Sequence, residues 1–173
     1  MKFFANPYNT SVSGFYFETF ADYEEKAADL TDSFGFPVEE FEIEVIDGTQ
    51  AEVQLATAME VNQGNLEACL EVLDGDESDW PALFYLLDNG VINDLAEALD
   101  KIDEVCLYDG PLLDAATELF DECYLCEIPK EPRNSIGRYI DYKAFARDCQ
   151  IGGDMSEFEF AGKTYTCTNA NDI

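Results

Sequence analysis

Hydrophobic and polar positions alternate in the chain's first part and then change period. "KFFA" and "GFYFETF", separated by the turn-rich "NPYNTSVSG", predict a hairpin near the N-terminus. Residues 22–34 read as a helix with Tyr23, Ala27 and Leu30 on its apolar stripe. "EEFEIEVID" alternates strictly: Phe41, Ile43 and Val45 fall on one face, Glu40, Glu42 and Glu44 on the other. That is the pattern of a half-buried strand.

From residue 63 the period becomes that of a helix. "NLEACLEVLDG" groups Leu66, Cys69, Leu70 and Leu73. "SDWPALFYLLDNG" offers Ser78 as cap, Pro81 in the first turn and Asn89-Gly90 as a stop. "NDLAEALDKIDE" starts at a capping Asn93 and groups Leu95, Leu99 and Ile102. Residues 105–108 suggest a short strand. "GPLLDAATELFDECYL" turns Leu112, Ala116, Leu119 and Cys123 inward and Asp114, Glu118 and Asp121 outward. A proline-interrupted link, "EIPKEPRN", leads to "YIDYKAFARDC", and "SEFEF" and "KTYTC" form a closing hairpin turned at Ala161-Gly162. These elements predict an α+β protein of three small units: an N-terminal α+β unit at 1–61, a short-helix bundle at 62–104 and a C-terminal α+β unit at 105–173.

Charge changes this picture most. The 173 residues carry 38 Asp and Glu against nine Lys and Arg, a formal net charge of −29. With 47% apolar residues the chain has enough material for a core, so its acidity is not that of a disordered segment. Such a field repels nucleic acid and anionic membranes and attracts basic surfaces. It is unevenly spread: residues 1–60 have a net charge of −11, residues 61–130 of −16, and residues 131–173 of only −2.

The spacing of the acids is informative. Asp114, Glu118 and Asp121 form one helical stripe, and Glu67, Glu71 and Asp74 repeat it. Like charges at i, i+4 cost about 0.2–0.5 kcal/mol per pair, which alternation with lysine would recover. Glu77, Asp79, Asp94, Glu97, Asp100, Glu104 and Asp109 extend the series. B-DNA carries one charge per ~1.7 Å of axis, so a net charge of −29 matches roughly 50 Å of duplex. On this reading the run "DGDESDW" is a row of phosphate stand-ins.

Other chemistries fit less well. Asp74, Asp76 and Ser78 fit the first positions of a calcium-binding EF-hand loop, but Asp79 stands where glycine is required and Tyr85 where a bidentate glutamate is required. No histidine is present, which removes the commonest general base and a frequent metal ligand. Cys123-x-x-Cys126 has no second pair to complete a zinc site, and two ordinary, partly buried thiols are expected. No glycine-rich phosphate loop or nucleophile elbow appears, so neither an enzyme nor a cofactor is expected. No apolar run reaches 18 residues and the N-terminus lacks a signal-like segment, so a cytoplasmic protein with reduced thiols is expected.

The order of elements, with "YIDYKAFARDC" (Tyr139 to Cys149), "LCEIP" (Leu125 to Pro129) and "FFANPYNTSVSGFYF", resembles the ArdA antirestriction family. These are DNA-mimicking inhibitors of type I restriction–modification enzymes encoded on mobile elements. The resemblance implies a curved, elongated molecule of three small units that occupies the DNA-binding groove of the methyltransferase core. It also implies a homodimer, with Leu125, Ile128, Pro129, Tyr139, Ile140, Asp141 and Tyr142 in the dimer and antirestriction motif. The spacer "KEPRNSIGR" is longer than the family pattern. An acidic module that binds basic DNA-binding proteins stands as the alternative. Halophilic adaptation would spread acid over the C-terminal third as well.

Overall fold

The computed structural model describes residues 1–88 and 90–173, with every side chain among them except that of Asn134. It has the α+β class that the periodicities predict, with small antiparallel sheets and short helices. The chain divides into two compact units, 1–88 and 89–173. Their boundary passes through the segment 62–104 that the sequence groups together.

In the first unit β1 (Lys2–Pro7) is the central strand, flanked by β2 (Phe15–Phe17) and β3 (Phe41–Asp47), both antiparallel to it. Gly14 makes the β1–β2 connection possible: a side chain there would run into the Ala5 carbonyl and the Phe4 ring. Phe3 stacks on Phe17 at 5.4 Å, and Tyr23 closes over Phe17 and Phe41. Tyr23 comes from α1 (Phe20–Asp29), which Thr19 caps by accepting from Asp22 N at 3.2 Å. This helix starts and stops earlier than the predicted span 22–34. Residues 31–37 instead form a tight loop closed by a Thr31–Pro37 bridge.

A helix the sequence reading did not anticipate follows, α2 (Gln50–Ala58), held by a capping box in which Thr49 and Glu52 bond reciprocally. Next come α3 (Leu66–Leu73), a 3-10 turn at Glu77–Asp79 and α4 (Trp80–Asp88). Asp76, not Ser78, caps that turn, because its carboxylate accepts from Ser78 N at 3.0 Å. Trp80 buries its ring and donates Nε1 to Val72 O at 3.3 Å, tying α4 to α3. The expected stop at Asn89-Gly90 lies partly outside the described residues, since Asn89 is not among them; α4 runs to Asp88 and Gly90 takes a φ of 66°.

The second unit begins with α5 (Leu95–Lys101), capped by Asp94 and not by the expected Asn93. Its inward stripe is Leu95, Ala98 and Ile102; Leu99, expected inward, is exposed. The i, i+3, i+7 spacing of that stripe leaves Leu99 at its edge. β4 (Leu107–Tyr108) pairs with β6 (Lys163–Cys167), which pairs with β5 (Ser156–Phe160). α6 (Leu112–Cys123) and α8 (Tyr142–Gly152) pack through Leu112, Ala116, Ala146 and Cys149.

Two expectations fail here. Cys123, predicted inward, is exposed, and so is Cys126. The buried stripe of α6 ends near Leu119, beyond which the Phe120, Tyr124 and Phe145 rings take over the packing. "EIPKEPRN" is not merely a link: Leu125–Glu127 is a 3-10 turn and Lys130–Ile136 is a helix, α7. Pro132 lies in the first turn of α7, where backbone N–H groups have no helical partner, so proline costs it little.

Candidate functional site

Three helices and their flanking turns carry the expected acidic positions. In the first unit, Glu67 and Glu71 project from α3, Asp74 ends it, and Asp76, Glu77 and Asp79 follow in the 3-10 turn. All six are exposed. Asp76 also serves the fold, since its bond to Ser78 holds its carboxyl below the usual carboxylate range. The same bond makes Asp76 and Ser78 partners of each other within the would-be calcium loop. Among the described residues no group of three or more Cys, Asp and Glu is arranged to hold a metal ion.

In the second unit, Asp94, Glu97, Asp100, Glu104, Asp109, Asp114, Glu118 and Asp121 are exposed as well. Asp94 is spoken for in part by its cap, accepting from Glu97 N at 2.9 Å. Tyr108 gathers three of the others. Its phenol is pushed above its ordinary value, first by burial and then by Glu118, Asp114 and Asp109. Among the described residues the ion pairs are Met1 with Glu52, Lys26 with Asp22, and Arg147 with Asp148. None involves an expected site carboxylate.

The second set of candidate residues forms a different surface. Leu125 and Ile128 are half-buried and Pro129 is exposed. Arg133 holds this turn together: its Nη2 donates to Ile128 O at 2.8 Å and to Cys126 O, and its Nε donates to Ile128 O at 3.1 Å. Tyr139 is 88% exposed. Ile140 is half-buried, and Asp141 caps α8 by accepting from Ala144 N at 3.0 Å. Tyr142 packs edge-on to Phe120 at 5.7 Å and donates its hydroxyl to Asp121.

Besides the Tyr142–Asp121 hydrogen bond, the two sets meet in a groove. Asp114 lines an open groove of about 480 Å³ together with Tyr139, Ile140, Asp141 and Tyr142. Leu113, Thr117, Arg138 and Lys143 complete its wall. These four, with Tyr108 and Arg133, were not legible as site residues. Arg138 immediately precedes "YIDYKAFARDC" and Lys143 lies within it, which is the nearest thing to a signal.

A comparison with family models matches residues 17–162 to the antirestriction protein ArdA. The chain belongs to the ArdA family. The match takes in every expected acidic residue and the whole of Leu125 to Tyr142, and leaves out β1 and β6. No curated protein and no solved structure matches the chain. ArdA proteins are antirestriction proteins, which act against restriction–modification enzymes. Among the described residues no helix is long and apolar enough to cross a membrane.

Proposed function

We propose that this ArdA protein inhibits type I restriction–modification enzymes by occupying the DNA-binding groove of their methyltransferase core, with carboxylates in place of phosphates. The observation that carries the reading is the state of the expected acids: all are exposed and none is ion-paired among the described residues. Charge kept for ion pairs within the fold would be paired; Asp76, Asp94 and Asp121 serve the fold only by accepting from uncharged donors. An enzyme groove binds DNA through many Lys and Arg contacts to phosphate, so a mimic needs a distributed set of available anions.

The protein works without a catalytic centre or cofactor, in the cytosol where its target meets DNA. It acts as a homodimer joined through residues about 125–145, where the charge falls away. In function the chain works as three segments, 1–61, 62–104 and 105–173, laid over its two compact units, with 62–104 carrying much of the acid.

The test is competition. The protein and a duplex containing the recognition sequence should displace each other from the purified methyltransferase core, and rising salt should weaken both. If saturating duplex left the protein bound, mimicry would be the wrong mechanism and the acidic-module alternative would take its place.

A further inference from the structure

An aromatic loop stands out from this acidic surface. Phe34 is 84% exposed and Phe36 is 67% exposed, on the segment Thr31–Pro37. The loop is not slack. Asp32 Oδ1 accepts from both Phe34 N at 2.8 Å and Phe36 N at 2.9 Å. Asp32 N donates to Phe36 O at 2.8 Å, and Gly35 N donates to Asp32 O at 3.0 Å. Gly35 takes a φ of 83°, which the tip requires and which side chains rarely adopt. Four hydrogen bonds thus hold two phenylalanines in water, and the sheet core nearby does not use them. The flanks are acidic, with Asp29, Glu39 and Glu40 exposed. Tyr8, also exposed, lines a shallow depression with Pro37, Glu39 and Glu40.

Resting on the proposed reading, we propose that this loop enters the base-receiving pocket of the methyltransferase core. Enzymes that modify a base extrude it from the duplex and stack it between aromatic and apolar side chains. Such a pocket opens from a basic groove. Its complement is a flat aromatic group flanked by anions, which is what a base between phosphates offers and what Phe34 or Phe36 between carboxylates offers. Fixing the loop before binding removes much of the ordering cost that a mobile loop would pay.

The experiment uses the full-length protein and the purified methyltransferase core. Phe34→Ser with Phe36→Ser should fold normally by circular dichroism, since both rings are exposed. It should bind the core roughly 10- to 100-fold more weakly with the same salt dependence, because the lost contact is apolar. A photo-crosslinking residue at position 34 should label the same methyltransferase peptide as a duplex carrying a photoreactive base at the target position. Unchanged affinity in the double variant, or labelling of a different peptide, would overturn the inference while leaving mimicry intact. Failure of the wild-type protein to bind the core would overturn the reading beneath it and this inference together.

Discussion

Tyr142 donates its hydroxyl to Asp121 at 2.5 Å, joining the start of α8 to the acidic stripe of α6. One carboxylate therefore serves the fold and lies in the stripe. The hydrogen bond is the main cause that pushes the Tyr142 phenol above its ordinary value. A group whose folded pKa is raised contributes stability below its unfolded pKa and loses it as pH rises through the folded one. Tyr142→Phe should cost about 0.5–1.5 kcal/mol at neutral pH in urea unfolding. The wild type should lose that advantage only above about pH 10.

The stripe itself should trade stability for binding. Asp114→Asn, Glu118→Gln and Asp121→Asn together keep an acceptor for Tyr142 and remove the like charges along α6. Relief of the i, i+4 repulsion should stabilise the helix by a few tenths of a kcal/mol. Binding to the methyltransferase core should weaken by about 1–3 kcal/mol, while single changes hardly register. Absorbance titration should show the Tyr108 phenol moving back toward its ordinary value. Inhibition lost from one single variant and kept in the triple would contradict a distributed surface.

Much of the fold was legible because its signals are local. The alternation of Phe41, Ile43 and Val45 fixes a strand face, and Ala161-Gly162 sits at φ 52° and 76° in the closing hairpin. α2 was missed although Thr49-x-x-Glu52 spells its capping box, because its apolar stripe is weak and only Leu55 and Ala56 are buried. The helical period of residues 22–30 runs on into 31–34 without a break, so only Gly35 and Pro37 mark the loop at 31–37. The acidic candidates were legible as stripes. That Asp114 shares a groove with Tyr139 was not, since it depends on how α8 packs against α6, a long-range contact with no sequence signature.

Thr49→Ala removes half of the α2 capping box and should cost about 0.5–2 kcal/mol. Glu52 is held below its usual range, chiefly by the Thr49 backbone N–H. For a depressed carboxyl the stability is present above the unfolded pKa and is lost as pH falls through the folded value. Urea midpoints should therefore drop between neutral pH and pH values below about 4.3. Glu52→Gln should flatten that drop; an identical pH profile would remove the pairing from the account.

Arg133 should be irreplaceable by lysine. Its guanidinium spans the Cys126 and Ile128 carbonyls in a fork that an ammonium cannot reproduce. Both Arg133→Lys and Arg133→Met should raise amide exchange across residues 125–136, and Arg133→Met should destabilise the second unit by about 1–2 kcal/mol. Exchange rates equal to wild type in the lysine variant would show that charge alone holds the turn.

The proposed dimer contact is best probed at Tyr139. Its ring is 88% exposed, so a charge placed there disturbs no packing. Tyr142 is a poorer choice, because a carboxylate at 142 would face Asp121 and damage the subunit itself. Tyr139→Glu should therefore shift the solution mass from dimer to monomer in light scattering without changing the unfolding midpoint of isolated subunits. Salt provides a second readout of opposite sign to target binding. Two bodies of net charge −29 repel at long range, and near 0.1 M salt the screening length shortens to about 10 Å. Dimerisation through the nearly neutral region should thus strengthen as salt rises, while capture of the basic methyltransferase groove weakens. A dimer that survives Tyr139→Glu and dissociates with added salt would place the contact where carboxylates of one subunit meet cations of the other, and would occupy carboxylates that mimicry needs free.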